Sequence, residues 1–202
     1  MADDASPGGL KRPELTLPEA EAAALRAAYA EAQVILEYGS GGSTAVAAEL
    51  PGKTIFSVES DKSWAKGMQA WFAANPPASA PVIHHGDIGQ TKAWGHPKSL
   101  KSHRKWPGYA LSVWDRPDFV APDTVLIDGR FRSACFMTVL LKTKAPVTVL
   151  WDDYIGRPRY ARVESLVKPV ATYGRMVRFD VVPMALPPEA LGILADSFQD
   201  PL

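Results

Sequence analysis

Short runs of β-branched and aliphatic residues recur along the chain, spaced so that a helix fits between most neighbouring pairs. Val34-Ile35-Leu36, Thr54-Ile55-Phe56-Ser57-Val58, Val82-Ile83-His84, Thr124-Val125-Leu126-Ile127 and Val147-Thr148-Val149-Leu150-Trp151 are these runs. Three of them are almost continuously apolar, as strands covered on both faces of a parallel sheet are. Residues 43–49, 62–74 and 133–142 read as the intervening helices. This alternation predicts an α/β fold: a doubly wound, mainly parallel Rossmann-like sheet with helices on both faces, in three layers. Further on, 160–167 reads as helical and 175–182 alternates as a half-buried strand does.

The ends and one long connection depart from this rhythm. Residues 1–13 are polar, with Pro7-Gly8-Gly9, and predict a flexible tail ahead of a single domain over 14–202. Thr16 is placed to cap a first helix, with Pro18 in its first turn and Glu19 and Glu21 at the positive end of its dipole. Residues 90–122 show no clean helical period and are interrupted by Gly95, Pro97, Pro107, Gly108 and Pro117. This segment is basic and carries Trp94, Trp106 and Trp114. A connection of that length is usually functional, and a substrate lid is one reading of it.

Composition narrows the partners. The 202 residues suit one domain with a sizeable core. Lys plus Arg and Asp plus Glu both total 22, so the formal charge is zero, which weighs against a general nucleic-acid or membrane-surface binder. The one cysteine, Cys135, sits in an apolar run and reads as a buried packing residue of a reduced, cytoplasmic protein. Neither a leader pattern nor an apolar run of membrane-spanning length is visible. A homo-oligomer is compatible with all of this.

Candidate chemistry concentrates where strands end. Glu37-Tyr38-Gly39-Ser40-Gly41-Gly42-Ser43-Thr44 follows the first strand and opens a helix. Ligands of open α/β sheets bind at the carboxyl ends of strands, and glycines there let a ligand approach the backbone. The dinucleotide fingerprint requires a third glycine where Thr44 stands, so it fails.

What remains, acid-x-Gly-x-Gly at a strand end, resembles the first motif of the class I S-adenosylmethionine-dependent methyltransferases. The resemblance covers about residues 34–155. It implies that Gly39, Ser40, Gly41, Gly42 and Ser43 wrap the methionine part of S-adenosylmethionine, with Glu37 orienting its amino group. It also implies that Glu59, with Ser60, meets the ribose hydroxyls, 20 residues past Gly39. Asp87 and Ile88, after the third strand, would then meet the adenine. Each acid also has a structural alternative; Asp61 is the better cap for the helix that follows Glu59.

Strands four and five end in Asp128-Gly129-Arg130 and Asp152-Asp153-Tyr154. This is similar to the metal-dependent catechol-type O-methyltransferases, and implies Asp128, Asp152 and Asp153 as ligands of a divalent metal such as Mg2+, with Asp153 departing from the usual Asn. Alternatively, Arg130 or Arg132 neutralises the acids, and Asp128, also beside the cofactor, is a general base, with Asp152 the other catalytic candidate.

His84 and His85 read as structural, whereas His96 and His103 read as acceptor-site bases or solvated loop residues. The tryptophans among lysines and arginines suit a lid over an anionic, aromatic or sugar-like small molecule, or else simply anchor a loop. The leading expectation is methylation of a small-molecule acceptor at oxygen. Its rivals are a non-catalytic S-adenosylmethionine-binding module and a nicotinamide-dependent oxidoreductase.

Overall fold

The structure is a computed structural model that describes residues 11–202; the first ten residues of the expected tail lie outside it. After helix α1 (Glu19–Glu31), the chain alternates through β1 (Val34–Tyr38), α2 (Gly42–Glu49), β2 (Thr54–Glu59), α3 (Lys62–Ala74) and β3 (Val82–His85). The long connection then contributes helix α4 (Pro107–Leu111), before β4 (Thr124–Ile127), α5 (Arg132–Lys142) and β5 (Val147–Trp151). An antiparallel pair, β6 (Ala171–Tyr173) and β7 (Met176–Val181), and helix α6 (Ala190–Ser197) complete the domain.

The seven strands form one sheet in the order β3-β2-β1-β4-β5-β7-β6. The first five in that order are parallel, and β7 runs antiparallel beside β5. The expected doubly wound sandwich is therefore present, closed by an antiparallel edge.

Strand alternation divides the core between two faces. Ile35, Ile55, Leu126 and Leu150 pack with Leu25, Tyr29, Val46 and Met68 of α1 to α3. Leu36, Phe56, Val125 and Val149 point the other way, against Phe136 and Met137 of α5 and Tyr109 of α4. Burial of both faces explains the nearly continuous apolar runs. Among the described residues no helix is long and apolar enough to cross a membrane.

Several local expectations change. Thr16 does not cap α1: the helix begins at Glu19 behind Pro18, with no side-chain cap. Glu21 is instead buried, and its Oε1 accepts from the Arg175 amide at 2.9 Å, tying α1 to the β6–β7 turn. Residues 160–165 wind as a 3₁₀ turn rather than an α-helix. Within 90–122, α4 and flanking 3₁₀ turns cover the β4 side of the sheet through Tyr109, Ala110 and Val113. That stretch has structure because these three side chains are buried, although glycines and prolines hide its period.

Candidate functional site

The parallel register brings Tyr38, Val58 and Ile127 side by side at the carboxyl edge of the sheet. Loops leaving these strands surround a cavity of about 970 Å³. Its walls are the glycine loop 39–43, residues 59–61 with the first turn of α3, the turn 92–95 of a short antiparallel ribbon pairing Thr91–Lys92 with His96–Pro97, Tyr109, and 128–130.

The glycine loop is shaped from below and above. Gly39 has φ +109°, and a Cβ there would press on the Gly129 backbone, so two strand-end loops touch through it. Gly41 faces open space within the cavity, where a side chain would fill the cradle. A Cβ on Gly42 would overlap the backbone of Glu14 and Leu15. Residues 11–17 therefore lie across the loop and line the cavity, although 11–13 read from sequence as the end of a loose tail.

Glu37 lies beneath this loop and does not line the cavity. It accepts from Tyr29 Oη and Thr44 Oγ1, each at 2.6 Å. Burial raises its pKa, opposed by the hydrogen bonds from Thr44 and Tyr29. Any influence of Glu37 on a ligand must pass through the loop it supports.

Glu59 does line the cavity. Its Oε1 accepts from the Asp61 amide at 2.7 Å, and its Oε2 has a longer contact with the Ser40 amide at 3.4 Å. Burial raises its pKa, against the lowering pull of the Asp61 and Ser40 amides. Ser60 Oγ donates to the Gly95 carbonyl at 3.0 Å and so ties the ribbon to β2. Asp61 caps α3 by accepting from the Trp64 amide at 2.9 Å.

Asp87 and Ile88, expected to meet the adenine, do not line this cavity. Asp87 is exposed and paired with Lys105 at 2.8 Å, which lowers its pKa, while Ile88 is fully buried in the core. The turn at 92–95 does line the cavity.

The acidic cluster is also corrected. Asp152 is buried, and its carboxylate meets Arg175 at 3.0 Å. Asp153 lies 2.9 Å from Arg157, 3.0 Å from Arg175 and 3.4 Å from Arg132. Among the described residues no group of carboxylates, histidines or cysteines is arranged to hold a metal. With arginines on Asp128, Asp152 and Asp153, the donor set does not fit Mg2+, which needs oxygens free to close an octahedron. Asp152, expected as a second catalytic candidate, is buried and does not line the cavity.

Asp128 differs from both. It lines the cavity with its side chain 34% exposed, and its Oδ1 accepts from Arg132 Nη2 at 3.1 Å. Desolvation pushes its pKa up to about 7; Arg132 opposes this, and Asp152 and Asp153 reinforce it. A carboxyl group tuned this close to neutrality is suited to general-base work.

The histidines and tryptophans separate. His84 pairs with Ser112 Oγ at 2.8 Å and His85 with the Ser60 carbonyl at 3.3 Å, both structural. His103 lies on an exposed turn, near the Leu100 carbonyl, whereas His96 contacts Arg130. Trp106 is buried, and Trp114 donates to Tyr38 Oη at 2.8 Å, so both anchor the connection. Only Trp94, 87% exposed at the cavity rim, keeps the position of a lid residue.

Sequence reasoning missed three contributors. Trp64 donates from Nε1 to the Ser40 carbonyl at 2.8 Å, Tyr109 of α4 lines the cavity and accepts from the Arg130 amide at 3.3 Å, and residues 14–17 cross the glycines. None carries a motif; each reaches the site by long-range packing.

No family model and no curated protein matches the chain. Solved structures do. The chain is similar to a methyltransferase-like protein from Silicibacter pomeroyi DSS-3, with 50% identity and a TM-score of 0.89 over 94% of this chain and 99% of that one. It shares its fold with the O-methyltransferase TomG from Streptomyces achromogenes, solved with S-adenosylmethionine, at 18% identity and TM-score 0.54, covering 84% and 82% of the two chains. A Bacillus cereus O-methyltransferase solved with S-adenosylhomocysteine follows at 13% identity and TM-score 0.52, with coverages of 86% and 84%. Half-identity to the Silicibacter protein over nearly the whole of both chains places the chain in the family of that methyltransferase-like protein, and its strand order gives it the fold of the S-adenosylmethionine-dependent methyltransferases.

Proposed function

We propose that the protein methylates a small-molecule acceptor at oxygen, using S-adenosylmethionine as donor. The observation that carries this is the single cavity wall shared by the glycine loop, Glu59 and Asp128. The open face of Gly41 accommodates the methionine part against backbone, and the amides that open α2 favour its carboxylate. Glu59, with Ser60 behind it, is the acceptor for the ribose hydroxyls. Asp87 and Ile88 are left out of this assignment, because neither faces the cavity.

Bound S-adenosylmethionine supplies a sulfonium methyl group open to in-line displacement. The chain's own residues align the two reactants and remove a proton. Asp128 takes the acceptor hydroxyl proton, and Arg132 at 3.1 Å holds its carboxylate in place. No metal step is needed, and the arginine-paired acids favour none.

Calorimetry with S-adenosylmethionine and S-adenosylhomocysteine tests the reading. Binding by the wild type that weakens at least about tenfold in Glu59→Ala, the loss of one or two strong hydrogen bonds, is expected. Absence of binding, or an unchanged affinity in the variant, overturns it.

A further inference from the structure

Arg130 lines the cavity two residues beyond Asp128. Its Nη1 lies 2.7 Å from His96 Nε2. A guanidinium only donates, so His96 is the acceptor there and carries its own proton on Nδ1. Burial and the neighbouring Arg130, Lys92, Arg132 and Arg157 push the His96 pKa down, which keeps the ring neutral for that task.

Arg130 differs from the arginines around it. Arg132, Arg157 and Arg175 take Asp128, Asp152 and Asp153. Among the described residues no carboxylate lies within ion-pair distance of Arg130. Its Nε is buried without a hydrogen-bond partner, and burial lowers its pKa. A partly desolvated guanidinium without a counter-charge is costly unless a ligand supplies one. Its planar fork matches the two oxygens of a carboxylate or phosphate.

We propose that Arg130, steadied by His96, recognises a carboxylate or phosphate carried by the methyl acceptor. This rests on the methyltransferase reading and narrows its substrate class to anionic hydroxylated molecules. Such an acceptor, anchored on Arg130, has its hydroxyl within the neighbourhood of Asp128. The carboxylate of the methionine part is the other source of the same chemistry. The amides opening α2 already serve it, which leaves Arg130 to the acceptor.

Sulfate, whose charge is constant around neutral pH, is the probe. It is titrated calorimetrically, at fixed ionic strength, into unliganded and S-adenosylhomocysteine-loaded protein. Sulfate binds the loaded wild type; Arg130→Gln weakens it at least about tenfold, and Arg130→Lys, which keeps charge without the fork, weakens it less. His96→Ala weakens it by about threefold through loss of one positioning contact. S-adenosylhomocysteine affinity stays within about twofold in all three if Arg130 serves the acceptor and not the cofactor.

No sulfate binding by the wild type, or equal binding by Arg130→Gln, overturns the proposal. So does Arg130→Gln weakening S-adenosylhomocysteine while sparing 5′-methylthioadenosine, which lacks the amino-acid part; Arg130 would then hold the cofactor carboxylate. Failure of the wild type to bind S-adenosylhomocysteine is a separate result. It removes the methyltransferase reading, and the acceptor proposal with it, whatever the unliganded titration shows.

Discussion

Thr44 Oγ1 donates to the buried carboxylate of Glu37 at 2.6 Å and accepts from the Gly41 amide at 3.0 Å. One hydroxyl thus links the acid at the end of β1 to the loop that crosses it. This gives Thr44, which breaks the dinucleotide pattern, a positive role. Thr44→Val keeps the volume but strands a buried acceptor and an amide. It is expected to cost about 1–3 kcal/mol in denaturant unfolding and to weaken S-adenosylhomocysteine binding. Thr44→Ser should preserve both properties; equal losses in the two variants would show that the methyl group matters rather than the hydroxyl.

Asp128 gives the protein a pH dependence of definite sign. Its folded-state pKa of about 7 lies above the ordinary carboxylate value, so the folded state holds its proton longer than the unfolded chain does. The stability this contributes is complete below the ordinary aspartate pKa and is lost as pH rises towards about 7. Asp128→Asn should therefore gain stability relative to wild type as pH rises through that window, read from unfolding midpoints at several pH values. Its methyl-transfer rate constant should fall by roughly 10²- to 10⁴-fold, with S-adenosylhomocysteine binding retained. The wild-type rate should rise through pH about 7 and then level.

Arginines close off the acids that follow β5. Arg175→Met leaves Asp152 buried without its partner and is expected to destabilise by about 2–4 kcal/mol, the lower end reflecting the partial exposure of Arg175. Adding magnesium, manganese or calcium should leave the wild-type melting temperature unchanged. A rise that Asp152→Ala abolishes would reinstate the metal.

Close backbone approach at Gly42 makes a steric prediction. Gly42→Ala pushes Glu14 and Leu15 off the glycine loop, and S-adenosylhomocysteine affinity should fall with little change in unfolding cooperativity. Gly41→Val instead fills the cradle and should abolish binding in a folded protein. Unaltered affinity in both would detach the loop from the ligand.

The local pattern alone carried much of this protein. Apolar runs mark buried parallel strands because both faces of each must be covered, and Val34–Tyr38 through Val147–Trp151 were legible for that reason. The sequence also put the glycine loop and Glu59 at strand ends, and the fold sets both on one cavity wall because parallel strands end on the same edge of the sheet. The edge strand β6 and helix α6 were not, being short and only partly buried.

Partner choice among charges was beyond the reach of the sequence. Asp128, Asp152 and Asp153 look alike on paper, and only the fold brings Arg175 from the β6–β7 turn onto Asp152 and leaves Asp128 facing the cavity. Likewise it brings His96 to Arg130, 34 positions away, and among the described residues sets no carboxylate within ion-pair distance of that guanidinium. Periodicity follows from burial and is written locally; the sign and availability of a charge depend on which distant group desolvates or pairs with it, and that is settled only when the chain is packed.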